Sequence, residues 1–350
     1  MRLSTLRRSV WCALTMALAA GGGHATGALA AQGIVTSNGP YKLTGNARVT
    51  YAAVAHVYNA ATNRLYSSTR GGVYQYDTLT MKVIGRSSDV RGAGSLALDS
   101  GRNELYVLAL HDDTMQVLDV TTRKVVRTFA APAWFNAFYE ESRGELYYLR
   151  GDSQELRVAD RQNGRVLATV ALGGRPSFVA GDPARKRVLV RLANKPLIQV
   201  IDTTERAIVA SWPARVDGPS ALAIDPTGSR VFASAGRDVV MLDGATGKEL
   251  ARVSVGDATY SLVFDAGTGY LTALSGPGRI NVVKADASSL KLVQSLDTGE
   301  VIHELFLDPS THTILAASRY ADEGLMIDVL LPQMSGGDGA GTLLTLTFKK

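Results

Sequence analysis

An aspartate closes an apolar run at nearly constant intervals along this 350-residue chain. Successive members lie 42, 41, 42 and 41 residues apart: Asp77, Asp119, Asp160, Asp202 and Asp243. Another 41 residues leads to Lys284, and 44 more to Asp328. A second series of polar residues has the same period, and each member lies six residues before an apolar residue. Its members are Asn59, Asp99, Glu140, Asp182, Asp225, Asp265 and Asp308. The chain therefore contains seven copies of one unit, and a fixed period of this length indicates a repeat architecture.

Each unit contains four short runs rich in Val, Ile, Leu, Tyr and Phe. In the fifth unit these runs are SALAI, RVFASA, DVVMLD and ELARVSV, and the stretches DPTGS, GR and GATGK join them. Gly, Pro, Asp and Thr at the joins are typical of turns between antiparallel strands. Seven four-stranded units without intervening helices predict an all-β fold, a seven-bladed β-propeller of four-stranded antiparallel blades.

The recurrent aspartates are predicted to be structural turn residues. A carboxylate at the end of a third strand can accept hydrogen bonds from the backbone N–H groups of the tight turn that follows. An active site would not need six copies of one residue. The prediction covers Asp77, Asp119, Asp160, Asp202, Asp243 and Asp328.

The first 30 residues have the pattern of a secretory signal peptide. Arg2, Arg7 and Arg8 precede an apolar stretch at residues 10–20, and small residues end at Ala30. We predict a signal peptide at 1–30, a linker at 31–40 and a single propeller domain at 41–350. The protein would then be periplasmic or secreted, through the Sec route or the twin-arginine route, without membrane insertion.

Export would change the charge and the cysteine content of the protein. The single cysteine, Cys12, lies in the predicted signal, so the mature chain would have no thiol. Removing the three signal arginines would lower the formal charge from +5 to about +2. So small an excess predicts no strong attraction to nucleic acid or anionic lipid.

A propeller ring has to close, and two segments are candidates for its last strand. TLLTLTF at 342–348 is expected to be the outer strand of the last blade, whose third strand would be the LMIDV run that contains Asp328. YKLT at 41–44 has the sequence offset of an outer strand from the first inner strand. Either segment or both would remove an unpaired edge.

The units LYVLALHDDTMQVLDVTTRKVVRTF and VFASAGRDVVMLDGATGKELARVSVG carry a family resemblance. They resemble repeats of the YVTN family of β-propellers, the YncE-like periplasmic or surface proteins. The YVTN stretch itself departs from the family pattern, since it reads YSST, YVLA or VFASA here. The resemblance implies a propeller fold, and some relatives bind ligands, protein partners or nucleic acid; such roles depend on matching site residues.

The first strand of each blade lines the central channel, so its first residues are expected to surround the channel mouth. Aligning the units predicts one ring of Val54, Gly94, Phe135, Ser177, Ser220, Tyr260 and His303. The next ring is Ala55, Ser95, Asn136, Phe178, Ala221, Ser261 and Glu304. Both rings break the repeat, and the ligand-binding candidates at this face are Trp134, Asn136, Tyr260, His303, Glu304, Arg91 and Arg175.

A structural interpretation of several candidates stays open. Trp134 could fill the wedge between blades, and His303 could be an ordinary, partly exposed histidine. His56, two positions deeper than the mouth ring, is expected to be packing. Neighbours on a strand point to opposite faces, so His303 and Glu304 do not form a metal pair, and neither a metal site nor a cofactor is expected.

Three functions are compatible with these residues. The first is a non-catalytic, exported propeller that binds a partner protein or a small ligand at the channel mouth. The second is a hydrolase or lactonase-like enzyme with Glu304 or His303 as general base, although GxSxG, Walker A and HExxH motifs are absent from the sequence. The third is binding of single-stranded nucleic acid, but the predicted mouth loops carry ten basic and eleven acidic side chains, which favours no polyanion.

Overall fold

The structure is a computed structural model. It describes residues 39–49, 53–69, 71–90, 92–109, 113–131, 135–140, 142–150, 153–214, 219–276, 278–318 and 341–349. The described residues form seven sheets, each of four antiparallel strands. The predicted all-β, seven-bladed propeller is confirmed.

The chain begins with a strand that belongs to the last blade, β1 (Tyr41–Val49). Blade 1 contains β2 (Ala55–Asn59), β3 (Arg64–Thr69), β4 (Gly72–Asp77) and β5 (Lys82–Ser87). Blade 2 contains β6 (Ala93–Asp99), β7 (Glu104–Ala109), β8 (Thr114–Asp119) and β9 (Lys124–Ala130). Blade 3 contains β10 (Phe135–Glu140), β11 (Glu145–Arg150), β12 (Glu155–Asp160) and β13 (Val166–Ala171).

The next three blades repeat this order. Blade 4 contains β14 (Pro176–Asp182), β15 (Arg187–Leu192), β16 (Leu197–Asp202) and β17 (Ala207–Pro213). Blade 5 contains β18 (Leu222–Ile224), β19 (Arg230–Ala235), β20 (Asp238–Asp243) and β21 (Glu249–Ser254). Blade 6 contains β22 (Thr259–Asp265), β23 (Tyr270–Ser275), β24 (Arg279–Ala285) and β25 (Leu290–Asp297). Short 3₁₀ turns at Ala60–Thr62 and Pro183–Arg185 follow two inner strands.

Blade 7 is assembled from both ends of the described chain. From the axis outwards it contains β26 (Glu304–Asp308), β27 (Thr313–Ala317), β28 (Gly341–Phe348) and then β1. The expected outer strand, 342–348, is therefore the third strand, since Thr345 pairs with Leu315 on one side and with Gly45 on the other. The outermost position belongs to the N-terminal strand, and this shared blade pairs the two ends of the ring. Asp328 lies outside the described residues.

Tyr41 attaches β1 to blade 6 as well as to blade 7. Its backbone N–H donates to Gln294 Oε1 at 3.0 Å, and its carbonyl accepts from Gln294 Nε2 at 2.8 Å. The Tyr41 ring is buried, with its centroid 5.6 Å from that of Phe348 and 6.5 Å from that of Tyr270. One residue thus connects the closing strand to two blades.

The hydrophobic core lies between blades. Phe232 and Met241 of blade 5 pack in one cluster with Phe264 and Leu271 of blade 6, and the two phenylalanine centroids are 4.7 Å apart. Each blade therefore depends on its neighbours to bury its apolar faces, as repeat architectures require.

Candidate functional site

The two ends of the ring present different chemistry. We call the end where the inner strands begin the mouth face; it carries Ser177, Ser220, Tyr260 and His303. We call the other end the turn face; it carries the turns that join first to second and third to fourth strands. The predicted binding residues lie on the mouth face, and the repeated aspartates lie on the turn face.

The turn-face aspartates accept hydrogen bonds from their own turns. Asp243 Oδ1 accepts from Ala245 N at 3.0 Å, from Thr246 N at 2.8 Å and from the Thr246 hydroxyl at 2.7 Å. The same Oδ1 position accepts two backbone N–H groups at Asp77, Asp119, Asp160 and Asp202. The Thr246 hydroxyl is the largest influence on Asp243 and holds the pKa of its carboxyl below the ordinary value. These carboxylates stabilise turns.

On the same face, Glu104 is ionised by direct pairing. Its two carboxylate oxygens accept from Arg127 Nη1 and Nη2, both at 2.8 Å, and Oε2 also accepts from the Tyr106 hydroxyl at 3.0 Å. The hydrogen bonds from Arg127 are the main reason that the pKa of Glu104 lies below its ordinary value. A lowered pKa in the folded state makes this group a source of pH-dependent stability.

The pairing of Glu104 with Arg127 predicts that the protein loses stability at acid pH. Because the folded-state pKa of Glu104 is lowered, its stabilisation is present above the unfolded-state pKa and is lost as the pH falls through the folded-state value. We expect the free energy of unfolding to decline between about pH 5 and pH 2. Glu104→Gln should lose about 1.5–3 kcal/mol at pH 7 and show a shallower acid decline. Urea unfolding at pH 7 and pH 3 measures the loss of stability and its acid decline. Glu205→Gln, at an exposed position, is the control. An equal acid decline in the wild type, Glu104→Gln and Glu205→Gln would contradict the prediction.

Hydroxyl groups from neighbouring blades meet at the mouth face. Ser177 Oγ and Ser220 Oγ, from blade 4 and the residues entering blade 5, lie 2.8 Å apart. Ser261 Oγ accepts from the backbone N–H of Leu305 in the next blade at 3.1 Å. Tyr260 is 38% exposed at the start of the inner strand of blade 6. His303 is half-buried, and its backbone N–H donates to the Ala317 carbonyl at 3.0 Å.

The other four predicted ligand-binding residues are Arg91, Trp134, Asn136 and Arg175. Trp134 and Arg91 lie outside the described residues, and Asn136 is placed only as part of the strand β10. Arg175 is half-buried in the loop before β14, and its backbone N–H donates to Asn194 Oδ1 at 2.8 Å. The described contact therefore fixes the Arg175 backbone in this loop.

His56 and Glu304 form a pair that the sequence did not indicate. His56 Nδ1 lies 2.7 Å from Glu304 Oε2, which joins the inner strands of blades 1 and 7. The His56 side chain is 4% exposed and that of Glu304 is 14% exposed. His56 was expected to be packing and Glu304 a ligand-binding candidate, with Glu304 or His303 as general base in the hydrolase alternative; a contact between His56 and Glu304 was not expected. A general base has to reach the proton that it removes, and the Glu304 side chain is only 14% exposed, so this contact gives Glu304 no support as a general base.

Arg191 is a second polar residue, and it lies outside the two rings predicted from the sequence. It is fully buried on β15, and its Nη1 donates to the Ser234 carbonyl at 2.6 Å and to the Ser234 hydroxyl at 2.9 Å in blade 5. Ser177 Oγ donates in turn to the Arg191 carbonyl at 3.1 Å. An arginine inside the apolar run VLVRL was the available signal, because a buried charge needs dedicated partners.

The described residues of the mouth face carry several hydrogen-bonding groups. Among all the residues that the structure describes, no group of three or more His, Cys, Asp or Glu is placed to hold a metal ion. The mouth face offers hydroxyls, an imidazole and an exposed phenol, which are groups that bind by hydrogen bonding and stacking. Within the same residues, no helix is long and apolar enough to cross a membrane.

Comparison with known proteins identifies no family for this chain. No protein-family model matches the chain. No curated protein matches it significantly either.

Proposed function

We propose that this protein is an exported, non-catalytic β-propeller of the YVTN (YncE-like) type that binds a partner protein or a small ligand at the mouth face. The repeat resemblance supports the family, and the arginine-led apolar segment with its small-residue end supports export to the periplasm or the medium. Binding at the mouth face agrees with the polar side chains that differ from blade to blade at the starts of the inner strands.

The observation that carries this proposal is the exposure of Tyr260. Tyr260 lies on an inner strand, where Ser177 and Ser220 are the corresponding residues of blades 4 and 5, and it is 38% exposed. Exposed tyrosines with an apolar ring and a polar hydroxyl are enriched at binding surfaces, because they contribute contact area at low entropic cost. The repeated aspartates of the turn face differ from Tyr260, because their carboxylates accept hydrogen bonds from the backbone of their own turns.

Site-specific cross-linking tests this proposal. A photo-reactive phenylalanine at position 260 of the mature protein is expected to form a discrete adduct in a periplasmic extract. The same amino acid at position 209 serves as control, because Val209 is 54% exposed on the outer strand of blade 4. For a small ligand, a metabolite that raises the melting temperature of the wild type should lose its effect in Tyr260→Ala. Adducts of equal yield at both positions, or no adduct and no stabilising metabolite, would reject the proposal.

A further inference from the structure

Arginines cross five of the blade interfaces near the turn face. Each arginine connects one blade with the turn between third and fourth strands of the following blade. The contacts, in order around the ring from blades 1 and 2 to blades 5 and 6, are Arg123 to the Ile84 carbonyl, Arg161 to Glu104, Arg206 to Glu145, Arg187 to the Gly244 carbonyl, and Arg230 to the Ala285 carbonyl. A charged side chain with several donors thus fills each of these wedges.

The interface between blades 7 and 1 has different residues at these positions. Thr313 begins β27 where Glu145 begins β11, as their pairings with Asp308 and Glu140 establish. Met81 stands four residues after Asp77, where Arg206 stands four residues after Asp202, and both have a positive φ, 56° and 52°. The equivalent of the 2.6 Å pair between Arg206 and Glu145 is therefore a methionine facing a threonine.

A groove of about 280 Å³ lies at this interface. Both blades contribute to its lining, which includes six threonines: Thr44, Thr78, Thr311, Thr313, Thr345 and Thr347. Each hydroxyl can donate one hydrogen bond and accept two. Leu79 and Met81 add apolar surface beside them. This volume is just below the range of about 300–1,000 Å³ found for ligand pockets, which suits a single small ring.

Thr345 lies at a position where the other six blades have no hydroxyl group. It pairs with Leu315, and the same register position is Gln75, Val117, Val158, Val200, Met241 and Val282 in blades 1 to 6. Five of these six residues are apolar, because the position packs between blades. Thr345 Oγ1 instead lies 3.7 Å from Met81 Sδ, a weak partner for a hydroxyl. Among the seven blades as described, a hydroxyl at this position occurs in blade 7 alone.

The charge of the lining selects against anions. None of the residues that line the groove is Lys or Arg, and Asp308 is its one acidic residue. Burial acts to raise the pKa of Asp308, but hydrogen bonds from Ser310 and Thr311 outweigh it and keep that pKa below the ordinary value. A phosphate or carboxylate would meet this negative charge without a compensating cation.

We propose that the groove between blades 7 and 1 binds a neutral hexopyranose. A sugar ring has hydroxyls at its edge and C–H groups on its faces, and the groove presents threonine hydroxyls together with the apolar side chains of Leu79 and Met81. Hydroxyl-rich sites distinguish ligands by the hydroxyls they satisfy. This site is on the turn face, so it is separate from the mouth-face function proposed above and stands or falls independently of it.

Saturation-transfer NMR on the mature protein tests the proposal with four probes: glucose, galactose, mannose and N-acetylglucosamine. We expect transfer to at least one of them. Thr345→Val replaces a hydroxyl by a methyl group at nearly constant shape, and it should weaken binding of that sugar about tenfold. Val209→Ala, at an exposed position on the rim of blade 4, is the control and should bind like the wild type.

A double variant gives the sharper result. Thr313→Glu with Met81→Arg places at this interface the residue pair that joins blades 3 and 4, Glu145 and Arg206, and should fill the groove. We expect saturation transfer to disappear while the melting temperature stays equal or rises. Absence of transfer from the wild type to all four sugars overturns the proposal, as does undiminished transfer from the double variant. If the double variant does not fold, unchanged affinity in Thr345→Val overturns it.

Discussion

Replacing Tyr41 with alanine is expected to lower the free energy of unfolding by about 3–5 kcal/mol. The ring is 1% exposed and packs edge-on against Phe348 and Tyr270, so its removal leaves a cavity where blades 6 and 7 meet. The backbone hydrogen bonds between Tyr41 and Gln294 do not require the ring and can persist in the variant. Urea unfolding of the mature chain, followed by circular dichroism, measures the loss.

The matched control lies two residues along the same strand. Leu43 is 40% exposed, so Leu43→Ala should cost about 1 kcal/mol at most, because little apolar area returns to water. Similar losses in the two variants would mean that β1 does not insert Tyr41 between the blades. A loss near 4 kcal/mol in Tyr41→Ala alone would show that the N-terminal strand stabilises the whole ring.

The fold could be predicted because its turns impose a local requirement on the sequence. A carboxylate such as that of Asp243 satisfies two N–H groups of its own turn, so the same residue recurs at that turn in blades 1 to 5, and Lys284 stands there in blade 6. Blade 7 joins its third and fourth strands from opposite ends of the chain and has no such turn. The order of β28 and β1 therefore depends on pairings such as that of Leu43 with Leu346, which no local pattern encodes.

The contacts of the candidate site were harder to predict for the same reason. The alignment of units identified the starts of the inner strands, including Ser177, Ser220 and Tyr260. It could not identify the contact between His56 and Glu304, because these residues are 248 positions apart and meet only when the ring closes. Arg191 was visible as a charge within an apolar run, but its partner, Ser234, belongs to the next blade. Local periodicity gives the element, whereas the contact depends on how neighbouring blades are rotated.

Removing the carboxylate of Asp182 is the second large effect that we expect. Asp182 Oδ2 accepts from Arg187 Nε at 2.8 Å and lies 2.7 Å from Arg187 Nη2, and both side chains are buried. The guanidinium also lies 5.0 Å from the centre of the Trp212 ring, so it cannot easily turn towards water. Asp182→Ala would leave a buried cation without its carboxylate, which costs about 3–5 kcal/mol. Urea unfolding at pH 7 measures the change.

Two further variants separate the cost of an uncompensated charge from the value of the pair. Glu249 pairs with Arg252 at 2.8 Å, and both side chains are more than a third exposed. Glu249→Ala should therefore cost less than about 1 kcal/mol. Asp182→Leu with Arg187→Met removes both buried charges and should restore most of the stability lost in Asp182→Ala, because apolar residues of similar volume can replace a buried ion pair. If Asp182→Ala costs no more than Glu249→Ala, water must reach Arg187, and blades 4 and 5 are less tightly packed at the turn face than the structure indicates.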